Sequence, residues 1–229
     1  MSRSFTLADP ASLDDLQVFL SRAQRVEDGS VRLIGGSGVL AVYTAVLYPI
    51  GLLDEVPTVL GLRTFALTSR DEFDVVVPIR SLLLRVERAQ QQAVDAIAAG
   101  RDEAVSVGLP MEVHTATWAA ISPPRGGWRA VPAIEGALLE RTANAGIAEI
   151  AEAVPDAVGE AIVRRVRAEV WGREMAGFEH IPAGAAFAAL SLGFLGDETA
   201  KVYESGPWTR ITTNRGHTLV KRRAWTLSR

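Results

Sequence analysis

A glycine-rich run near the N-terminus has the residue types that could bind a dinucleotide. Gly36-Ser37-Gly38-Val39-Leu40-Ala41 fits the G-x-G-x-x-A fingerprint and follows a strand-like run at 31–34. That chemistry needs a helix to begin at the glycines, because the N–H groups of its first turn bind the pyrophosphate. Residues 39–46 are instead rich in β-branched side chains. The run therefore predicts a hairpin turn, and we expect no cofactor.

Acidic and histidine side chains offer little support for a metal site. Glu112 and His114 would share one face of a strand predicted at 111–121, because side chains alternate along a strand. The other histidines, His180 and His217, lie on distant segments without the spacing of a zinc site. The chain has no cysteine, which excludes disulfides and thiolate chemistry. We predict no metal site and no catalytic residue.

The segment 122–129 combines residues that dominate protein interfaces. It reads Ser-Pro-Pro-Arg-Gly-Gly-Trp-Arg, an irregular loop with two arginines and an indole. Tryptophan and arginine often supply much of the binding energy of an interface, and loops often carry binding residues. Arg125 and Trp128 are therefore candidate partner-binding residues. The alternative is an interdomain linker in which Trp128 packs as an anchor.

A basic β-hairpin is predicted near the C-terminus. Its arms at 208–213 and 217–222 flank Asn214-Arg215-Gly216, where the glycine could adopt a left-handed conformation. The hairpin could contact nucleic-acid phosphates together with arginines of a helix predicted at 156–172, or its charges could simply be solvated. Arg223 follows it in sequence. The candidate partner-binding residues here are Trp208, Arg210, Arg215, His217, Lys221 and Arg222.

The segment before this hairpin argues against base recognition. Residues 183–195 contain no basic side chain and are apolar all round. Such a helix is typically buried and does not lie in a DNA groove. We therefore predict a core helix in which Phe187 is buried.

Charge is unevenly distributed along the chain. Residues 201–229 hold seven of the 24 lysines and arginines but one of the 27 acidic residues, so they carry +6, while residues 1–200 carry −9. This asymmetry indicates an anionic partner or association between the two ends of the chain, and it favours a homodimer. The net charge of −3 argues against a protein dedicated to coating nucleic acid.

The hydrophobic pattern predicts an α+β protein with two domains. With 229 residues, 48% of them hydrophobic, the chain can bury a substantial core. Domain 1–121 would hold an antiparallel sheet with flanking helices, and domain 130–229 would be mostly helical and closed by the β-hairpin. The predicted elements are a helix from Ser12, strands at 30–35, 38–48, 58–67 and 73–77, a long helix ended by Gly100, strands at 104–109 and 111–121, and helices at 132–144, 147–153, 156–172 and 183–195.

Three stretches resemble a family of uncharacterised proteins from high-GC Gram-positive bacteria. They are 123–128, 187–195, and Trp208-Thr209-Arg210 with Arg215-Gly216-His217. The resemblance implies a bacterial, cytoplasmic setting and no assigned reaction. The absence of a long apolar run or a secretory signal also leads us to expect a cytoplasmic protein without a membrane span.

These observations favour an interaction or regulatory protein without enzymatic activity. Two alternatives stay open. One is a nucleic-acid-binding protein that uses the basic hairpin, and the other is an enzyme whose site is assembled only in the tertiary structure.

Overall fold

A computed structural model describes five stretches of the chain, residues 3–51, 54–70, 72–101, 104–154 and 159–222. Within them the protein is mixed α+β, as predicted, with a large antiparallel sheet. None of the helices in these stretches is both long and apolar enough to cross a bilayer. Arg223 and the first residues of the predicted 156–172 helix lie outside the described part of the chain.

The chain divides into two compact units. The first contains Met1–Thr44 and Leu62–Ala119, and the second contains Ala45–Gly61 and Ala120–Arg229. The second unit thus includes a segment that the sequence analysis placed in the first domain. The division into two domains at 122–129 stays a prediction.

Helices pack beside a sheet in the first unit, where the order of neighbouring strands is β5-β2-β3-β4. Helices α1 and α2 pack on each other through the apolar stripes that their sequences predicted. The chain leaves this unit within β3 and returns within β4. Its elements are β1 (Ser4–Phe5), α1 (Ala11–Val26), β2 (Ser30–Gly36), β3 (Val39–Leu47), β4 (Thr58–Ala66), β5 (Phe73–Pro78), α2 (Ile79–Ala98), β6 (Val107–Gly108) and a 3₁₀ helix (Thr117–Ala120).

The glycine-rich run forms the turn between β2 and β3. Ser37 and Gly38 have φ angles of 54° and 80°. Positive φ at both central residues is typical of a type I′ hairpin turn, which suits the twist of the paired strands. The predicted hairpin is confirmed, and no helix begins at Gly38 to bind a pyrophosphate.

The strand predicted at 111–121 is wrong. This segment is irregular until the 3₁₀ helix, which buries Trp118. Its backbone makes isolated contacts in place of a strand ladder: the Val113 N–H donates to the Val76 carbonyl at 2.7 Å, and the Ala119 carbonyl accepts from Arg32 at 2.8 Å. The Arg32 guanidinium also donates two hydrogen bonds to Asp74, at 2.7 and 2.6 Å.

Glu112 and His114 consequently share no strand face. Glu112 pairs with Arg3 at 3.1 Å, and His114 is exposed. The described residues contain no group of three or more His, Asp or Glu side chains that could hold a metal ion.

The second unit contains more strand than predicted. Its neighbouring strands run in the order β12-β11-β10-β7, and each pair is antiparallel. Residues 132–134 belong to β7, so the helix predicted to begin at 132 is wrong there. Its elements are β7 (Arg129–Ile134), α3 (Gly136–Ala153), α4 (Glu160–Gly172), β8 (Glu174–Met175), β9 (Phe178–Pro182), α5 (Ala183–Ser191), β10 (Ala200–Ser205), β11 (Trp208–Thr213) and β12 (Gly216–Lys221).

Both units share one arrangement of elements. A helix precedes three consecutive strands, α1 before β2-β3-β4 and α5 before β10-β11-β12. In each unit the first of these three strands also pairs with a further strand, which leads directly into a second helix. In the first unit β5 pairs with β2 and leads to α2. In the second unit β7 pairs with β10 and leads to α3. Helix α1 packs on α2 in the first unit, and helix α3 packs on α5 in the second. This repeat of topology has no matching repeat of residue types, so the sequence analysis missed it.

Helix α3 runs straight through Gly146, where the sequence predicted a break. A Cβ atom at this position would lie 2.2 Å from Cζ3 of Trp171, so the glycine permits the close approach of a buried indole. Trp171 also stacks on Phe187, with ring centroids 4.4 Å apart. The glycine therefore serves packing and does not end the helix.

The predicted core helix and the predicted hairpin are both confirmed. Helix α5 is buried on nearly all sides, although Phe187 is partly exposed and the fully buried phenylalanine is Phe194, just after the helix. The hairpin turn consists of Asn214 and Arg215, and Gly216 already belongs to β12. The left-handed conformation predicted for Gly216 is wrong. This glycine instead leaves room for the Phe194 ring, because a Cβ atom would lie 2.4 Å from Cε1.

Candidate functional site

Arg210 lies against two aromatic rings in the second unit. Its Cζ atom is 4.6 Å from the ring centroid of Trp128 and 4.7 Å from that of Tyr203. Tyr203 is the paired residue on β10, and Trp128 directly precedes β7, the next strand. A cation over an aromatic face gains roughly 0.5–1 kcal/mol at exposed sites and about 2 kcal/mol when desolvated. We call these three half-buried residues the Arg210 stack.

The loop at 122–128 positions Trp128. Its indole Nε1 donates to the carbonyl of Pro124 at 3.1 Å, and the Ser205 hydroxyl donates to the carbonyl of Gly126 at 3.3 Å. The φ of 75° at Gly127 is one that a residue with a side chain would adopt only under strain. These contacts tie the loop to the end of β10. They are compatible with both predicted roles of Trp128, an anchor that packs within the protein and a residue that contacts a partner.

The guanidinium of Arg210 is not neutralised by an acid. Among the described residues, no carboxylate forms an ion pair with it, and its buried Nε has no hydrogen-bond acceptor. Burial lowers the pKa of Arg210, and the nearby Tyr203 hydroxyl opposes this shift. An unpaired, partly desolvated charge is costly, so the two rings compensate it only in part.

His217 borders the Arg210 stack. Its Nδ1 lies 3.1 Å from the Thr212 hydroxyl, and burial together with the charge of Arg210 lowers the pKa of its imidazole. His217 is therefore neutral at pH 7 and adds no second positive charge beside Arg210.

The lowered pKa of His217 predicts a loss of stability in acid. In the unfolded chain the pKa of a histidine is about 6.5. Between this pH and the lower pKa of the folded protein, the imidazole is protonated in the unfolded state but neutral in the folded state. The free energy of unfolding should be highest above about pH 6.5 and should fall as the pH drops toward the lower folded pKa, by about 1.4 kcal/mol for each unit of difference. Urea unfolding between about pH 7.5 and about pH 5.5 should show a shallower fall for His217→Gln than for the wild type. Parallel curves for the two proteins would contradict this assignment.

Four of the predicted contact residues lie on one face of the β11–β12 hairpin. On β11, Trp208, Arg210 and Thr212 alternate with the other residues and share one face. On β12, Lys221 pairs with Trp208 and His217 pairs with Thr212, so Lys221 and His217 lie on that face too. Trp208 is only 4% exposed, so burial removes most of its surface from any partner. Lys221 is half-buried.

Three other predicted contact residues lie outside the Arg210 stack. Arg215, at the hairpin turn, donates to the carbonyl of Leu195 at 3.0 Å. Arg222 donates to the carbonyl of Gly206 at 2.9 Å. Arg125 is exposed on the 122–128 loop. As partner-binding residues, all eight candidates stay predictions.

The sequence analysis missed the role of Glu204. Its carboxylate lies 3.1 Å from Nη2 of Arg129, 3.2 Å from Nε2 of His180 and 3.8 Å from Nη1 of Arg222. Glu204 follows Tyr203 on β10, so these contacts lie on the opposite face of the sheet from the Arg210 stack. A signal was available, since Glu204 is the one acid in the basic segment 201–229.

Two family matches cover most of the chain. Residues 1–116 match the family described as Domain of unknown function (DUF8010), and residues 123–225 match Domain of unknown function (DUF8185). The first match spans half of the chain, so this protein belongs to the DUF8010 family. Among proteins with curated descriptions, none matches it.

Solved structures of bacterial DNA polymerase clamps are similar to this fold. A DNA polymerase sliding clamp from Pseudomonas aeruginosa aligns with a TM-score of 0.51 and 12% identity, over 98% of this chain and 65% of the clamp. The pol III beta protein of Caulobacter crescentus gives 0.50 and 12%, over 98% and 66%. The DNA polymerase III subunit beta of Borrelia burgdorferi gives 0.50 and 6%, over 98% and 65%. This chain therefore spans about two-thirds of the clamp length, and the likeness shows a clamp-like fold.

Proposed function

We propose that this chain is a protein-interaction module on a clamp-like fold, without enzymatic activity, in a bacterial cytoplasm. The Arg210 stack and the 122–128 loop are part of its contact surface. The observation that carries the proposal is the contact of the half-buried Arg210 with Trp128 and Tyr203, since Trp, Tyr and Arg are the residue types enriched at interface hot spots. Similarity to clamp subunits of DNA polymerases supports an interaction role.

A second copy of the chain is one partner in this proposal. The charge difference between residues 1–200 and 201–229 would let oppositely charged surfaces of two copies meet. Exposed ion pairs contribute little affinity each, so an apolar interface must supply most of the binding. The homodimer stays a prediction.

Nucleic-acid binding is the second candidate, because the similar structures are DNA polymerase clamps. Phosphate contacts by a helix would require an excess of basic side chains, which the described helices lack as a group. Helices α1 to α5 carry nine arginines and nine acidic residues, so their net charge is zero. Affinity for DNA depends on cations that neutralise several phosphates and release counterions. Arg215 and Arg222 of the hairpin are, moreover, bound to backbone carbonyls.

Truncating Trp128 tests the proposed function. We expect Trp128→Ala to weaken binding of a protein partner by about 2 kcal/mol, roughly 30-fold, as is typical of an interface hot spot. Sedimentation of the purified chain at about 10–50 micromolar would report self-association, and purification of a tagged chain from a lysate of its own organism would report other partners. The matched control is Arg141→Gln, which changes an exposed cation on helix α3 of the same unit that is not among the candidate contact residues.

Three outcomes separate the candidates. Loss of a partner in Trp128→Ala but not in Arg141→Gln supports the contact surface. Equal binding by wild type, Trp128→Ala and Arg141→Gln rejects it. Salt-dependent retention of the wild type on immobilised double-stranded DNA, weakened by charge reversal at Arg210 and Arg222, would favour nucleic-acid binding.

A further inference from the structure

Arg210 differs from its neighbouring arginines in having no oxygen acceptor in the described structure. Arg215 and Arg222 donate to carbonyls, and Arg129 pairs with Glu204. Arg210 contacts two rings instead, with a buried Nε that lacks an acceptor. Folding therefore holds this cation against two rings, without a hydrogen-bond acceptor for its Nε among the described residues.

The two rings also restrict how a ligand could reach this cation. The ring centroids of Trp128 and Tyr203 lie 4.6 and 4.7 Å from the guanidinium Cζ, so both rings exclude a ligand from the space that they occupy. Because Nε is buried, the Nη atoms are the donors that a ligand can approach. The planar N–H fork of arginine matches the two oxygens of a carboxylate, and fixing it beforehand reduces the entropy lost on binding.

We propose that the Arg210 stack is a binding site for a carboxylate, presented by an acidic segment of a protein partner. This inference rests on the proposed function and names the chemistry of the partner. Lys201 and Lys221 lie on the same face of the sheet as Arg210, one on β10 and the other on β12. Their positions favour a segment with more than one acidic side chain.

A phosphate backbone fits this site less well. His217 is neutral beside Arg210, and within the described β10, β11 and β12 the cations on this face are Arg210, Lys201 and Lys221, fewer than a track along a phosphate backbone needs. The guanidinium also covers one face of each ring, and the rings cannot stack nucleobases on those faces. A carboxylate needs neither a track nor a stacking platform.

The test is a nuclear magnetic resonance titration of the whole ¹⁵N-labelled chain. The reporters are the indole Nε1–H of Trp128, assigned with Trp128→Phe, and the Nε–H of Arg210, assigned with Arg210→Lys. Sodium acetate is titrated against sodium chloride at the same ionic strength, and a hexaglutamate peptide and inorganic phosphate are titrated separately. The indole of Trp171, which is 2% exposed, serves as the internal control.

We expect acetate to shift both reporters in a saturable way, with no shift of Trp171. Hexaglutamate should reach its midpoint at a concentration at least about tenfold lower than acetate, because the two lysines would meet its other carboxylates. Arg210→Gln should abolish the response, Arg210→Lys should weaken it at least about threefold because the fork is lost, and Arg141→Gln, at an exposed position of helix α3, should retain it.

Several results would overturn the inference. Chloride that reproduces the acetate shift, or a response that survives Arg210→Gln, would exclude a carboxylate site at Arg210. Equal midpoints for acetate and hexaglutamate would assign the site to a small carboxylate instead of a protein segment. Phosphate saturating at about tenfold lower concentration than either carboxylate probe would assign it to phosphates. If the carboxylates fail to bind but Trp128→Ala still loses a protein partner, this inference falls and the proposed function stands.

Discussion

Replacing Phe194 by alanine is expected to lower the free energy of unfolding by about 3–5 kcal/mol. The side chain is 1% exposed and its ring fills the space that Gly216 leaves free on β12. Helix α5 packs against β12, and Phe194 directly follows that helix. The rigid surroundings cannot close around the missing ring, so the variant keeps a cavity. Urea unfolding followed by circular dichroism measures the change.

Phe187→Ala is the matched control for this prediction. The sequence predicts burial of Phe187, but the structure leaves that side chain partly exposed, stacked on Trp171 at 4.4 Å. Partial burial and one stacking contact account for a loss of about 1–2 kcal/mol. A larger loss for Phe187→Ala than for Phe194→Ala would show that the core of the second unit lies elsewhere.

The position of Phe194 bears on every experiment at the Arg210 stack. Its ring packs under Gly216, the first residue of β12, and β12 pairs with the strand that carries Arg210. Loss of this support would disturb the hairpin and could mimic loss of a contact residue. Binding results for Trp128 and Arg210 variants are therefore meaningful only where the unfolding midpoint matches that of the wild type.

Helices and strands with a clear hydrophobic pattern could be predicted from the local sequence. Strands β2, β3 and β4 alternate or run apolar between clear turn residues, and the structure has them within one or two residues of the prediction. The α1 and α2 stripes recur at helical spacing and were equally clear. Strands β8 and β9 were missed because they have only two and five residues, and β7 was missed because it contains Pro132, which argues against a strand. Length does not explain why β10 was missed, since it is as long as β11.

The candidate site could be predicted only in part for the same reason. Trp128 and Arg210 were recognisable from their residue types, but they are far apart in sequence. The register of β10 against β11 places Tyr203 beside Arg210, and β10 itself was not predicted. Tyr203 was therefore missed, although it completes the stack. Trp208 was chosen on the same grounds as Trp128, yet it is buried, which its residue type alone cannot reveal.

Replacing Trp171 by alanine is expected to lower the free energy of unfolding by about 3–5 kcal/mol, because this buried indole is 2% exposed and stacks on Phe187.

Gly146→Ala tests the same packing with the opposite change of volume. In an ordinary helix interior this substitution would stabilise by about 1 kcal/mol. Here the added Cβ would lie 2.2 Å from Cζ3 and 2.5 Å from Cη2 of Trp171. We therefore expect a loss of about 1–3 kcal/mol from overpacking.

The indole has little freedom to move away. Phe187 stacks on it with ring centroids 4.4 Å apart, and the residue is only 2% exposed, so buried neighbours surround the ring. In a Trp171→Leu background the clash disappears, so Gly146→Ala should become neutral or stabilising by up to about 1 kcal/mol. Ala148→Gly, at an exposed position of the same helix, measures the intrinsic helix propensity without the clash. If Gly146→Ala unfolds at or above the urea midpoint of the wild type, helix propensity outweighs packing at this position, and Trp171 is held less tightly than its contacts indicate.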